Sequence, residues 1–242
     1  MQTLLVSDLH LEDSRPDITR AFFHLLDQFE GKVDRLFILG DFFEIWLGDD
    51  VLTETAQQVA QRLKNFSASG TEVFIMHGNR DFLIGSHYAA SCGAHLLADP
   101  ATLNIAGRPC LLMHGDTLCI DDTEYMNFRK MVRNPAWQAA FLEKTVADRI
   151  AFGRQARSQS QADAKNKSYE ILDVNQDEVV RICAESNAPL LIHGHTHRPA
   201  RHKVETGTGS CERIVLGDWH EKGWYILADN NSLELISFEF PK

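Results

Sequence analysis

The chain has 242 residues, 44% of them hydrophobic, and a formal net charge of −10. That length can bury the core of one large domain, no apolar run reaches the roughly 18 residues needed to span a bilayer, and the acidic balance disfavours a protein whose main task is to grip a nucleic acid backbone. Met1 to Asp17 lack a basic region and turn acidic by Asp8, unlike a secretory signal. Five scattered cysteines without a Cys-x-x-Cys pattern are expected as free thiols of a reducing cytoplasm.

Residues 3–10, TLLVSDLH, form an apolar run that ends in polar residues. The spacing of Ile18, Phe22, Leu25, Leu26 and Phe29 predicts a helix over 18–31, stopped at Gly31. RLFILGD (35–41) is a second strand, residues 55–70 a helix ended by Gly70, EVFIMHGNRD (72–81) a third strand and CLLMHGD (110–116) a fourth. NQDEVVRICAES (175–186) opens on an Asn-x-x-Glu capping pattern and leads into the strand LLIHGHTH. The tail segments RIVLGDWH, GWYILAD and SLELISFEF predict strands, with a hairpin at ADNNS. No internal repeat or low-complexity tract appears.

Residues 121–170 depart from this alternation and predict successive helices, the last leading into the polar run RQARSQSQADAKNKSYE. Between Tyr125 and Glu170 nine Lys/Arg face four Asp/Glu, a local surplus of five positive charges, so the rest of the chain carries −15. Trp137, Phe141, Val146, Ile150 and Phe152 supply an apolar side. One reading is a helical pair with a merely solvated basic face. The sharper reading is a lid over an anionic, amphipathic substrate, resting on anionic lipid.

The polar residues that close the strands carry the chemistry. Ligands of α/β proteins gather where strands end, and five strands here end in Asp-x-His, Gly-Asp, Gly-Asn-Arg-Asp, His-Gly-Asp and His-Gly-His-Thr-His. Alternation along an extended chain predicts that His195 and His197 converge on one side, with His193 sharing their parity. Asp8, His10, Asp41, Asn79, His114, His195 and His197 exceed one tetrahedral centre and suit two close ions with a bridging carboxylate, which clamp a phosphoryl oxygen and activate water. Nitrogen and oxygen donors without sulfur suit Mn²⁺, Fe²⁺ or Zn²⁺.

Five blocks in order, Asp-Leu-His at 8–10, Gly-Asp-Phe-Phe-Glu at 40–44, Gly-Asn-Arg-Asp at 78–81, His114-Gly-Asp and Gly-His-Thr-His at 194–197, resemble the calcineurin-like metallophosphoesterase superfamily. The resemblance implies an α/β (α+β) fold, a β-sandwich flanked by helices. It also implies Asp8, His10, Asp41 and His197 on one ion and Asp41, Asn79, His114 and His195 on the other. Where many members carry a histidine, position 80 is Arg80, which cannot release a proton but can hold phosphate bidentately. That favours a phosphoanhydride, whose leaving group needs no acid. Glu44 stands where many members have Asp, as a support for the ligands. Asp81 and Asp116 are expected to orient ligands from behind, and His77, His193 and His220 to be structural. His24, His87, His95 and His202 carry no signal.

The longer segments 40–50, 77–85, 113–122, 173–176 and 192–199 together are similar to the UDP-2,3-diacylglucosamine pyrophosphatase family of lipid A synthesis, across nearly the whole chain. This implies hydrolysis of UDP-2,3-diacylglucosamine to UMP and 2,3-diacylglucosamine 1-phosphate by attack of metal-activated water on the α phosphorus. It further implies two Mn²⁺ per chain, a cytoplasmic monomer peripheral on the inner membrane, and residues 121–170 as a substrate cap inserted in a single domain spanning 1–242. Asp41, Arg80 and His195 are the implied catalytic groups. The implied substrate contacts are Asn79, Arg80, Asp122, Tyr125, Arg157, Ser160, Lys167 and His195. The family's asparagine four residues after the serine is Ala164 here, with Asn166 as the substitute. The alternatives are a metallophosphoesterase acting on a soluble nucleotide (a dinucleoside polyphosphate, ADP-ribose or a cyclic nucleotide) and a non-catalytic scaffold.

Overall fold

The computed structural model describes residues 1–166, 171–207 and 209–241, without the side chains of 160, 161 and 163–166. Two sheets stack face to face. The first holds, in spatial order, β11 (Leu233–Glu239), β10 (Lys222–Ala228), β1 (Thr3–Val6), β2 (Arg35–Leu39), β3 (Glu72–Met76) and β4 (Ala94–Leu97). The second holds β5 (Ala101–Ile105), β6 (Arg108–Leu112), β7 (Leu190–His193), β9 (Gly209–Val215) and β8 (Ala200–Thr206).

The alternation of side chains along each strand builds the layers. β1, β2 and β3 run parallel, with Leu4 beside Leu36 and Leu36 beside Val73, so residues of like parity share a face. Leu5, Phe37, Leu39 and Met76 point between the sheets and meet Cys110, Leu112, Leu190, Ile192 and Ile214. Leu4, Val6, Leu36, Ile38, Val73 and Ile75 point outward and are covered by Phe22, Leu25 and Leu26 of α1 (Pro16–Phe29) and Val59 and Leu63 of α2 (Glu54–Ala68). On the other outer face Leu111, Leu191, Val204 and Cys211 pack on Val179 and Cys183 of α7 (Gln176–Ser186). The result is a helix–sheet–sheet–helix stack, and both faces of its central strands are apolar because both are covered. All five cysteines are buried free thiols in these layers.

Local chemistry sets the boundaries. Gly31 and Gly70, just past the first two helices, take φ of +67° and +106°, which glycine adopts without strain. Asn175 caps α7, its side chain accepting from the Glu178 N–H at 3.0 Å. Asp229 accepts at 2.7 Å from the N–H groups of Asn231 and Ser232 and closes the β10–β11 hairpin. Three strands escape the sequence reading: β4, β5 and β8. Each lies at a sheet edge with several side chains exposed, so none shows the apolar run of a central strand.

Between β6 and α7 lie α4 (Thr123–Val132), α5 (Pro135–Leu142) and α6 (Val146–Asn166), beyond the short α3 (Ser86–Ser91). α6 carries the helix through most of the polar run expected after Gly153. Arginines bind this segment to the body. Arg133 donates to the Gly78 carbonyl at 2.8 Å, Arg149 donates to the Leu47 carbonyl at 2.7 Å and pairs with Asp50, and Arg129 pairs with Asp116 at 2.7 Å. Arg149 is only 2% exposed. Several charges expected to face an anionic ligand are therefore spent on holding the helices in place. No helix of the described residues is long and apolar enough to cross a membrane.

Phe22 is fully buried, with its ring edge-on to Phe42 at 5.5 Å and Trp219 at 6.1 Å. Phe22→Ala should lower unfolding stability by about 3–5 kcal/mol in urea titrations, the range for an emptied aromatic site.

Candidate metal centre

β1, β2, β3, β6 and β7 each end two or three residues before a candidate ligand. Past β1 and β2 the backbones stay paired: Asp8 N–H donates to the Gly40 carbonyl at 3.1 Å, His10 N–H to Asp41 at 3.0 Å and Leu11 N–H to Phe42 at 2.9 Å. Asp8 and His10 thereby lie alongside Asp41. The Asp41 carboxylate accepts the Arg80 N–H at 2.8 Å. Asp81, fully buried, accepts the Phe42 and Gly78 N–H groups, both at 2.7 Å, and locks the Asp41 loop onto the Asn79 loop. The contact is so close that a Cβ on Gly78 would stand 2.1 Å from the Asp41 nitrogen.

The donors fall into two groups, each with its donor atoms within 4.8 Å of one another: Asp8, His10 and His197, and Asp41, His114 and His195. Asn79 belongs with the second, its Oδ1 lying 2.9 Å from His114 Nε2 and 2.8 Å from His195 Nδ1. Asp41 spans both, 3.6 Å from His114 Nε2 and 3.8 Å from His10 Nε2. His10 and His197 meet at 3.2 Å between Nε2 atoms. All seven expected ligands thus converge on one spot, and the set fits a pair of divalent ions: imidazole, carboxylate and amide donors, no sulfur, and two buried carboxylates facing ring nitrogens.

The route by which His195 and His197 arrive corrects the sequence reading. β7 ends at His193, and the two later histidines are not strand residues sharing a side. They take φ of +66° and +56° and go to different groups. Positive φ also occurs at Asp8 (54°), His10 (50°) and Asp41 (48°). Such backbone is unfavourable for non-glycine residues and collects at functional sites, held there by its surroundings. His193 stays behind, fully buried, with Nδ1 donating to the Gly194 carbonyl at 2.8 Å.

Burial and neighbouring charge set the protonation. Burial opposes a charged His114, but Asp41, Asp8, Asp116 and Asp99 overcome it and push its pKa up to about 9. Burial, with His114 nearby, brings His195 down to about 4, and burial also lowers His10. Asp8 stays well below the usual carboxylate range although burial raises it, because His197 hydrogen-bonds to it and His114 and His10 add charge. His197 is raised against the effect of burial by that same contact.

A cavity of about 550 Å³ opens beside these donors. Asn79, Arg80, His195, Glu44 and Arg157 are among its lining, together with apolar side chains that include Ile45, Trp46, Leu47, Phe82, Phe128 and Phe152. Arg80 Nε is buried without a hydrogen-bond partner among the described residues. Glu44 sits 3.0 Å from His10 Nδ1 and pairs with Arg157. Tyr125 and Asp122 also line the cavity but hold internal positions: the Tyr125 hydroxyl donates to Asp116 while its ring stacks on His195 at 6.1 Å, and Asp122 caps α4 by accepting the Tyr125 N–H at 3.0 Å. Ser160 is in α6 with its side chain outside the described set, as are the side chains of Ala164 and Asn166, and Lys167 lies outside the described residues altogether.

The sequence reading missed the wall formed by Ile45, Trp46 and Leu47. Its signal was an apolar run directly after a ligand block. Asp49 fixes that run, accepting from Trp46 Nε1 at 3.1 Å and from the Gly85 and Tyr88 N–H groups at 2.8 Å. Of the five apolar residues marked in 121–170, Phe141 and Phe152 reach the cavity and Trp137 packs behind them, whereas Val146 is 41% exposed.

Without metal, His114 keeps its proton up to about pH 9, so loading must displace it. Metal affinity should therefore climb from pH 6 to about 9, by up to roughly tenfold per unit, in titrations against a metal-binding dye.

A family model described as calcineurin-like phosphoesterase matches residues 1–199. The UDP-2,3-diacylglucosamine hydrolase of Cellvibrio japonicus (strain Ueda107) is 51% identical over 239 residues, covering 99% of this chain and 100% of that protein. The protein of the same name from Hahella chejuensis (strain KCTC 2396) is 48% identical, covering 99% and 98%. Among solved structures, that of an archaeal phosphodiesterase aligns with a TM-score of 0.51 at 13% identity, covering 98% of this chain and 100% of that one, a likeness of fold.

Proposed function

The chain belongs to the calcineurin-like phosphoesterase family and is a metal-dependent hydrolase, and we propose that it cleaves the pyrophosphate of UDP-2,3-diacylglucosamine to UMP and 2,3-diacylglucosamine 1-phosphate, a step of lipid A synthesis. The observation that carries this reading is the cavity itself. Its lining combines Asn79, Arg80, Arg157 and His195, which suit a phosphate, with a broad set of apolar side chains, and that combination matches a nucleotide diphosphate joined to two acyl chains. A soluble nucleotide would leave those apolar side chains without a use.

Asp8, His10, Asp41 and His197 would hold one ion, and Asp41, Asn79, His114 and His195 the other, with Mn²⁺ as the proposed metal. Such a pair supplies Lewis acidity toward a phosphoryl oxygen and an activated water. Arg80, with its buried unpartnered Nε, offers charge-assisted hydrogen bonds to the diphosphate. His195, neutral at physiological pH, can donate to a phosphoryl oxygen, and the ring of Tyr125 keeps it in place. Water adds to the α phosphorus, the bond to the bridging oxygen breaks, and the sugar 1-phosphate leaves as a stable anion without a protein acid. Asn79, Asp122, Tyr125, Arg157, Ser160 and Lys167 are the proposed further contacts. Arg157 would exchange Glu44 for the substrate, and Asp122 and Tyr125 would act from positions already fixed by the fold.

Residues 121–170 are proposed as an inserted cap within one domain spanning 1–242, with the acyl chains against Phe82, Phe128 and Phe152. Met131, Leu142 and Val146 on these helices are 44%, 41% and 41% exposed, which supports the proposed peripheral contact with a membrane; a monomer at the cytoplasmic face of the inner membrane is part of the same proposal.

In H₂¹⁸O, Mn²⁺-dependent turnover should place the label in UMP, read by mass spectrometry; label in the lipid would move the attack to the other phosphorus. Asp41→Ala should lower kcat/KM by about 10³-fold or more, with the circular dichroism spectrum retained. Phe128→Ser should raise KM for the diacylated substrate about 10- to 100-fold and leave hydrolysis of an unacylated UDP-sugar unchanged; equal loss on both would remove the acyl-binding role of this wall.

A further inference from the structure

We infer that a second cavity, of about 400 Å³ and sharing no lining residue with the first, is a binding site for a phosphate-class oxyanion. Thr196, Arg198, Ala200, His202, Arg213 and Asp173 line it. It lies against the β8–β9 pair, where His202 stands directly opposite Arg213.

Arg213 is the reason. It is 5% exposed, and its Nε is buried without a hydrogen-bond partner among the described residues. Among the described residues its hydrogen-bonding contact is Nη1 to His193 Nε2 at 3.4 Å, an acceptor because His193 Nδ1 donates to the Gly194 carbonyl. No carboxylate among the described residues comes within ion-pair distance of Arg213, and Asp173, the acid of this cavity, is paired with Arg198. His202 does not supply a negative charge, and burial lowers its pKa. A buried guanidinium that makes no ion pair among the described residues is costly, and a tetrahedral oxyanion would answer it: it accepts from the guanidinium groups, from the Thr196 hydroxyl and from His202. Because Arg213 touches His193, and His193 precedes the Gly194–His197 ligand loop, an anion here would press on the strand that delivers His195. This site is independent of the identity of the substrate at the metal centre.

The test uses the full-length, Mn²⁺-loaded protein with inorganic phosphate as the probe. Crystals soaked in phosphate, and in tungstate as its heavy analogue, should show the anion within hydrogen-bond distance of Arg213. Calorimetric titration of the wild type should show a cavity site besides any at the metals. Arg213→Met should weaken the cavity site by about tenfold or more, the worth of one charge-assisted hydrogen bond. Should that variant fail to fold, Ala200→Glu serves instead, since it sets a carboxylate into the cavity wall and should abolish the cavity site with the melting temperature kept or raised. A parallel titration with UMP separates a phosphomonoester from free phosphate, and binding of either in the cavity upholds the site. An empty cavity in the soaked crystals, or phosphate binding by Ala200→Glu equal to that of the wild type, overturns it.

Discussion

The metal centre depends on backbone lying directly against backbone, where the loop carrying Asn79 lies on the loop carrying Asp41. Gly78 leaves no room for a side chain there, and a Cβ on Gly40 would meet His114 Nδ1 at 2.6 Å and the Gly78 backbone at 2.7 Å. Two glycines thus let three ligand-bearing loops nest within bonding distance. Asp81 holds the nest closed through backbone N–H groups, which is why a buried carboxylate, raised by burial and by Asp41, is retained in it. The left-handed backbone at five of the ligands follows from that closeness, since an extended chain would carry their side chains past one another.

The second organising feature is the use of arginine. The helices over the cavity are joined to the body by Arg129, Arg133 and Arg149, each reaching a carboxylate or a carbonyl on or near the ligand loops. Arg133 takes the carbonyl of Gly78, the residue between His77 and Asn79. The position of the helices and the position of a ligand are thereby set by the same contact. Arg157 differs, because its partner Glu44 also faces His10 and because it borders the open cavity.

Much of this was legible beforehand. Strand-end polar residues marked all seven candidate ligands that the fold brings together, because a metal centre demands particular side-chain types and leaves them in the sequence. The sandwich followed from the resemblance those blocks carry, and the inner strands from their apolar runs. Edge strands β4, β5 and β8 were not legible, since half-exposed strands lack such runs. The roles of the basic residues in 121–170 were also hidden. Charge counting sees a surplus of five but not that Arg149 turns inward to Asp50. The convergence of His195 and His197 was expected for the wrong reason: strand parity cannot foresee two left-handed residues in a loop, although Gly194 was there to mark where the strand breaks.

The two ligand groups each draw on both sheets. Asp8, His10, Asp41 and Asn79 follow strands of the six-stranded sheet, and His114, His195 and His197 follow strands of the five-stranded one. The centre therefore sits astride the seam of the sandwich like a rivet through two plates. Sliding one sheet over the other by even an ångström would change every cross-sheet donor spacing at once. Leu5, Phe37, Leu112 and Ile192, which fill the gap between the plates, accordingly set the tolerance to which the centre is machined, and rigidity at the seam is where this fold turns ordinary apolar packing into chemical accuracy.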